Sequence, residues 1–526
     1  MSRVPTRRLA MAALALVLSL VAGPVDGASG GPFRGELPLG RPSLAETRSS
    51  TEVAPGVTHT RIVRGEPSKH DAWLVDVAFV ATGEEANDLR RRLRAGGFRA
   101  RVDRVKERAP DDPGRGPLGW LVRVGPVSTE AEANQARDRL AAAGYSGLRV
   151  VYGAEDGGRT TGPWVVNVLE IAPERFEGSL APALATGVVP GLERLTSISA
   201  RTAALAAVNG GYFVIGPSDG TPGDLAGIAV LDAGLVSEAV NGRTSLLLPA
   251  GDGTGASVAA LSTSQVARSS DGSERLVDGM NRKPGLVRGC GGTGGDLPTE
   301  EPKHDFTCTD PSELILFTPA FGSSTEPGEG AEVALDGSGN VLEVRDGRGG
   351  AIPPGGSVLS GTGEGADWLR AHAPAGTTVS VSTRIMADGV PVATTGGVGV
   401  VNGGPRLLRA GGVDITAAEE GFHWQERPEF YYRFGVRRNP RTLAGVTPEG
   451  HLLLVTVDGR QPGWSVGASF QESALIMKAL GATDAVNLDG GGSTTMTVGS
   501  QLMTRPSDPT GERPIADAIV VGAGNP

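Results

Sequence analysis

The sequence predicts an α+β protein in two parts: a small domain of pattern βαββαβ, then a larger, β-rich α+β domain. Three observations carry this. Residues 73–98 and 120–145 repeat each other without a gap, each as an alternating strand followed by a helical stretch. From residue 164 onward, short apolar runs alternate with glycine turns. Glycine and proline supply 80 and 37 of the 526 residues in no periodic pattern, which suits turns between strands rather than a helix bundle.

In order, the chain opens with Arg3, Arg7 and Arg8, an apolar run over 9–22, and the small residues Gly27, Ala28 and Ser29. That is the layout of a signal peptide over 1–28, with an apolar run too short for a membrane span. It implies a secreted or cell-envelope protein with no transmembrane segment after cleavage, and leaves the export route open. Residues 29–70 lack sustained periodicity and read as a linker. A net charge of −10 without a basic stripe argues against nucleic acid as a partner.

Each half of the repeat starts as a strand, continues with helical spacing (Ala86, Leu89 and Leu93; Ala133, Ala136 and Leu140), and stops at Gly97 or Gly144. Further strands are expected over 99–105 and 148–152. Over residues 71–152 the chain resembles the SPOR domain, a ferredoxin-like module. The resemblance implies binding to peptidoglycan glycan strands. The Pro/Gly-rich stretch 110–119 departs from a compact version of that module. Residues 153–163 read as a polar hinge.

The larger domain covers 164–526. Residues 164–171 alternate as a half-buried strand, and 262–330 read as a poorly periodic insertion. The insertion holds both cysteines, Cys290 and Cys308, and in an exported protein such a pair points to a disulfide. Two cysteines without clustered histidines do not form a zinc site. A helix is expected near 366–371 and another over 469–480.

Three junctions share one design, a strand that ends in glycines beside one polar side chain: Asn209, Asp458 and Asp489. The run after Asp489 is Gly490, Gly491, Gly492, Ser493 and Thr494. Glycines there let a backbone approach a ligand closely. Arginines suit a phosphate because guanidinium forks match its oxygens. Carboxylates suit a sugar's anomeric centre. Glu472 stands three residues after Ser469, which fits both a helix capping box and a catalytic acid.

Taken together, Asn209–Phe213, Arg441 with Thr442, Asp458 with Arg460, Glu472, the run 487–494 and the closing 513–518 resemble the phosphodiester glycosidase family. The resemblance implies a glycoside hydrolase cleaving the bond of an N-acetylglucosamine-type sugar-1-phosphodiester. It implies Asp489, Glu472 and Asp458 as catalytic candidates. It implies Asn209, Arg441, Arg460, Gly490, Gly491, Ser493 and Thr494 as substrate-binding ones. The alternatives are a non-catalytic wall-binding scaffold, or a peptidoglycan or exopolysaccharide glycosidase. No cofactor is required; Ca²⁺ is compatible with carboxylates and loop carbonyls, but no EF-hand spacing is present. The metal question stays open, as do the sugar, the aglycone and the role of each carboxylate.

Overall fold

The computed structural model describes residues 35–523, apart from 69, 233, 249–254, 291–301 and 393–396. The expected signal peptide lies outside the described residues. The chain is a β-rich α+β protein, with the smaller module N-terminal to the larger one.

The stretch expected to be a linker contains a hairpin, β1 (Glu46–Ala54) and β2 (Val57–Arg64). β1 is exposed along most of its length, so its sequence carries no alternation to read. The small module follows as β3 (Trp73–Val80), α1 (Gly83–Ala95), β4 (Ala100–Val105), β5 (Gly119–Val127), α2 (Glu130–Ala142) and β6 (Arg149–Tyr152). Its sheet order is β4-β5-β3-β6, antiparallel where β5 meets β4 and β3 and where β3 meets β6. Thr82 and Thr129 close both helix starts with capping boxes to Glu85 and Glu132. Gly97 and Gly144 follow the two C-caps in the left-handed conformation (φ 82° and 88°).

The strand β7 (Trp164–Ile171) is buried at every position, not half-buried as expected. It lies inside an eight-stranded sheet. The order is β1, β2, β7, then Leu452–Val457, Arg441–Val446, Asp484–Asn487, Arg406–Arg409 and Gly412–Val413. β2 pairs with β7 along its whole length, so the hairpin belongs to the large domain's main sheet. One face of that sheet meets the helix Phe470–Ala479 and the small module. The other packs Leu169 and Ile171 against Leu246 and Leu248 of a second sheet, and against Val208, Met496 and Ile519 of a five-stranded one.

The described residues of the expected insertion include strands of the domain's sheets. Ser257–Ser269 is an inner strand of the second sheet, and Leu314–Phe317 pairs with Ser357–Gly361 in another. Cys290 and Cys308 form the expected disulfide, with Cα atoms 5.8 Å apart.

The segment expected to hinge is clamped. Arg438 donates to the carbonyls of Ala154 and Gly158 (both 2.7 Å), and Arg437 pairs with Glu155 (3.0 Å). The helix-free face of the small sheet lies on the large domain. Leu121 of β5 and Val105 of β4 join its core, and Phe79 stacks near Tyr432 at 5.6 Å. Arg123 of β5, 2% exposed, binds Asp76 (2.6 Å) and Asp156 (2.8 Å) at that junction. The departing stretch 110–119 explains itself here: Asp111 accepts from the amides of Ala418 (2.8 Å) and Glu419 (2.9 Å), and Asp112 pairs with His423 (2.6 Å).

Candidate active site

Asp489 follows directly on the strand Asp484–Asn487 and its neighbour Leu488. Its backbone is held from across the fold. Asn209, at the end of the strand Ala206–Asn209, donates from Nδ2 to the Asp489 carbonyl (2.8 Å). The Asn209 Oδ1 in turn accepts from the Thr442 hydroxyl (2.6 Å) and the Thr495 amide (3.1 Å). This knot joins the ends of two sheets and fixes where the carboxylate stands.

A cavity of about 250 Å³ opens at that point. Five arginines line it, Arg243, Arg288, Arg441, Arg460 and Arg513, against two carboxylates, Asp305 and Asp489. Tyr212, His304, Phe434 and the glycines 490–492 complete the parts used below. A Cβ at Gly492 would displace the Arg513 guanidinium and the Asp508 carboxylate that pack on it.

The arginines differ in what they hold. Arg288 pairs with Asp219 (3.1 Å) and with Asp305, and Arg513 with Asp508 (2.8 Å). Arg441 donates to the carbonyls of Ala468 (3.0 Å) and Phe434 and lies over the Phe470 ring at 4.5 Å. Arg460 donates to the Asn439 side-chain oxygen (2.9 and 3.2 Å) and to no other group among the described residues. Arg243 is 4% exposed and uses only Nε, toward the Glu420 carbonyl (3.0 Å). Among the described residues neither of its buried terminal nitrogens has a hydrogen-bond partner. The guanidinium lies over the Phe422 ring at 5.0 Å, and a buried donor without a hydrogen bond costs roughly 1–3 kcal/mol, which an anion in the cavity would offset. Burial pushes Arg243 and Arg441 down to about 10, still protonated at neutral pH.

Asp489 is pushed up to about 6, chiefly by burial. Nearby Asp305 pushes the same way, while Ser493, Arg513 and the Gly490 amide, which donates to Oδ1 at 2.9 Å, oppose. Ser493 Oγ is buried without a hydrogen bond of good geometry, yet lies close enough to pull the carboxyl down. Behind Asp489, Asp517 accepts from the Gly211 amide (2.9 Å); burial pushes it up to about 7. His304 is held neutral by burial, stacked among Tyr212 (4.2 Å), Phe422 (4.5 Å) and Phe434 (5.0 Å).

The expected residues therefore separate. Asp489, Arg441, Arg460, Gly490 and Gly491 line the cavity. Asn209 holds the backbone and does not line it. Ser493 and Thr494 are buried behind the glycine run. Glu472 is not at the cavity: it caps its helix through Ser469 and grips Arg438 at 2.7–3.0 Å. Asp458 does not line the cavity either. It accepts from Trp464 Nε1 (2.8 Å) and the Arg505 amide (3.3 Å), and burial pushes it to about 6. Both have a structural task that their sequence context resembled equally well. Sequence reasoning missed Arg243, Arg288, His304 and Asp305. The last three flank Cys290 and Cys308, and that bracket was the available signal. Among the described residues no cluster of three or more His, Cys, Asp or Glu is placed to hold a metal.

Comparison with known proteins bears on the two domains. The phosphodiester glycosidase family model matches residues 329–522, and the SPOR domain model matches 69–150. A candidate exported protein from Burkholderia pseudomallei, known from its crystal structure, is 36% identical. The match covers 93% of this chain and 99% of that one, with a TM-score of 0.85. A hypothetical protein from Synechocystis is 19% identical over 92% of this chain and 81% of its own, with a TM-score of 0.54, a likeness of fold. The zebrafish N-acetylglucosamine-1-phosphodiester alpha-N-acetylglucosaminidase catalytic domain, auto-inhibited by its pro-peptide, aligns at 13% identity over 84% of this chain and 94% of its own. Its TM-score of 0.33 is too low to carry an argument. No curated protein matches.

Proposed function

Because the chain belongs to the phosphodiester glycosidase family and carries a SPOR domain, we propose that it is an exported cell-envelope hydrolase of sugar-1-phosphodiesters of the N-acetylglucosamine type. The observation that carries this reading is the unpartnered Arg243 fork in one cavity with Asp489. Arg243, Arg441 and Arg460 seat the phosphodiester and neutralise the charge that grows on it as the bond breaks. Asp489 takes a proton from water as the water oxygen bonds to the anomeric carbon. The glycosidic C–O bond breaks, and its electron pair leaves on a phosphate monoester, which is acidic enough to need no proton donor. The products are the free sugar and the phosphate monoester.

Peptidoglycan binding through the SPOR domain would hold this site at the wall. Its helix-free sheet face is covered, so the glycan strand would meet the remaining surface.

The test is turnover of methyl N-acetylglucosamine-1-phosphate by the full chain. Free N-acetylglucosamine and methyl phosphate should appear. Arg243→Ala should raise KM about tenfold or more, the scale of one charge-assisted hydrogen bond. Methanol and the intact sugar phosphate as products, or no change in the Arg243 variant, would count against the reading.

A further inference from the structure

A second cavity, about 490 Å³, adjoins the candidate active site. The two share Asp305, Phe434, Asn439 and Arg460 in their walls, so they lie side by side. Its far wall comes from the small module: Trp73 of β3, and Arg149 and Tyr152 of β6. The near wall carries Phe430, Arg433 and Arg437. The module thus supplies surface directly beside the reacting centre.

The cleft's charges are unevenly matched. Glu155 is answered by Arg437 (3.0 Å), and Asp305 by Arg288. Glu130 stands exposed at the first turn of α2. Arg149 and Arg433 are exposed, and no carboxylate pairs with either among the described residues. Both line the same cavity; partial burial, then Arg433 and Arg437, lower the Arg149 pKa, and Asp76 opposes them. Guanidinium groups gathered without a paired carboxylate suit a phosphate, whose oxygens their forks can grip bidentately. Trp73 and Tyr152, partly exposed and with ring centroids 5.3 Å apart, offer apolar surface on which a sugar ring can rest, while Phe430 is stacked on Trp424 (4.8 Å) and Phe434 (5.6 Å).

We propose that this cleft binds a second phosphate on the same glycan, so that the substrate is a chain of sugar-phosphate units rather than an isolated sugar-1-phosphodiester. The inference rests on the hydrolase reading for its first site. Arg149 and Arg433 hold the neighbouring phosphate while the aromatic residues carry the sugar between. The small module then acts as a specificity element of the enzyme in addition to any role at the wall.

The experiment uses the full chain and three N-acetylglucosamine-1-phosphodiesters: the methyl ester, one extended by a neutral sugar, and one extended by a sugar phosphate. The phosphate-extended compound should have a KM at least about tenfold below the neutral-extended one, the scale of one or two charge-assisted contacts. Arg149→Ala with Arg433→Ala should abolish that preference and leave the methyl ester unchanged. Equal KM for the two extended compounds, or a preference that survives in the variant, would overturn the proposal. If the wild type cleaves none of the three, calorimetry of the two extended compounds makes the same comparison without turnover. Failure of the hydrolase reading and failure of the cleft are then told apart.

Discussion

At the scale of single residues, burial and partner count decide roles that residue type leaves open. Asp489, Asp458 and Glu472 are all acids near glycines or helix starts. Two of them are committed to Trp464 and the Arg505 amide, or to Arg438 and a cap, and only Asp489 lines the cavity. The glycine run after Asp489 was legible because it is local. Arg243 was not, because its significance lies in burial and two unmet nitrogens, which no sequence spacing encodes. The reading makes pH an observable. The Asp489 carboxyl is raised to about 6, and it must be ionised to accept a proton from water. So kcat/KM should be level above that pH and fall about tenfold per unit below it. A pH–rate profile on the methyl ester checks this, and an acid limb near pH 4 would mean that an ordinary, unburied carboxylate governs the rate.

At the scale of elements, the local signals read well and the pairing partners did not. Ser469 and Glu472 do form the capping box their spacing allows, and the repeat gives its two helices and four strands. The β1–β2 hairpin was missed because β1 lies mostly in solvent, and a strand without a buried face has no period to betray it. The cysteine pair was read correctly, but its consequence needed the fold. The bridge ties the two short strands Leu286–Arg288 and Thr307–Thr309 that carry or adjoin Arg288, His304 and Asp305. Replacing Cys290 and Cys308 together by serine should cost roughly 2–4 kcal/mol of stability. It should also lower kcat/KM by about tenfold or more, because small displacements of positioning groups are expensive. Denaturant unfolding and kinetics measure the two effects. Unchanged kinetics in the double variant would show that this wall of the cavity takes no part.

At the scale of the molecule, composition and periodicity suggested two beads on a flexible string. The string is instead a clamped joint, because Ala154, Glu155 and Asp156 lie where Arg437, Arg438 and Arg123 converge from both domains. Sequence cannot show this, since a polar glycine-rich segment looks the same whether solvated or clamped. Arg123→Ala would leave Asp76 and Asp156 without their buried cation, and should cost about 3–5 kcal/mol. Calorimetry of the full chain should give one transition that moves down in this variant. Two separate transitions in the wild type would mean that the domains do not share a core.

The central claim is that Asp489 performs chemistry in an arginine-lined phosphate site. Asp489→Asn keeps the shape and the Oδ1 acceptor for the Gly490 amide while removing the charge. The measurement is kcat/KM on methyl N-acetylglucosamine-1-phosphate together with the melting temperature. The expected result is a fall of roughly 10²-fold or more with melting nearly unchanged. Near-wild-type turnover in a folded Asn variant would contradict the account.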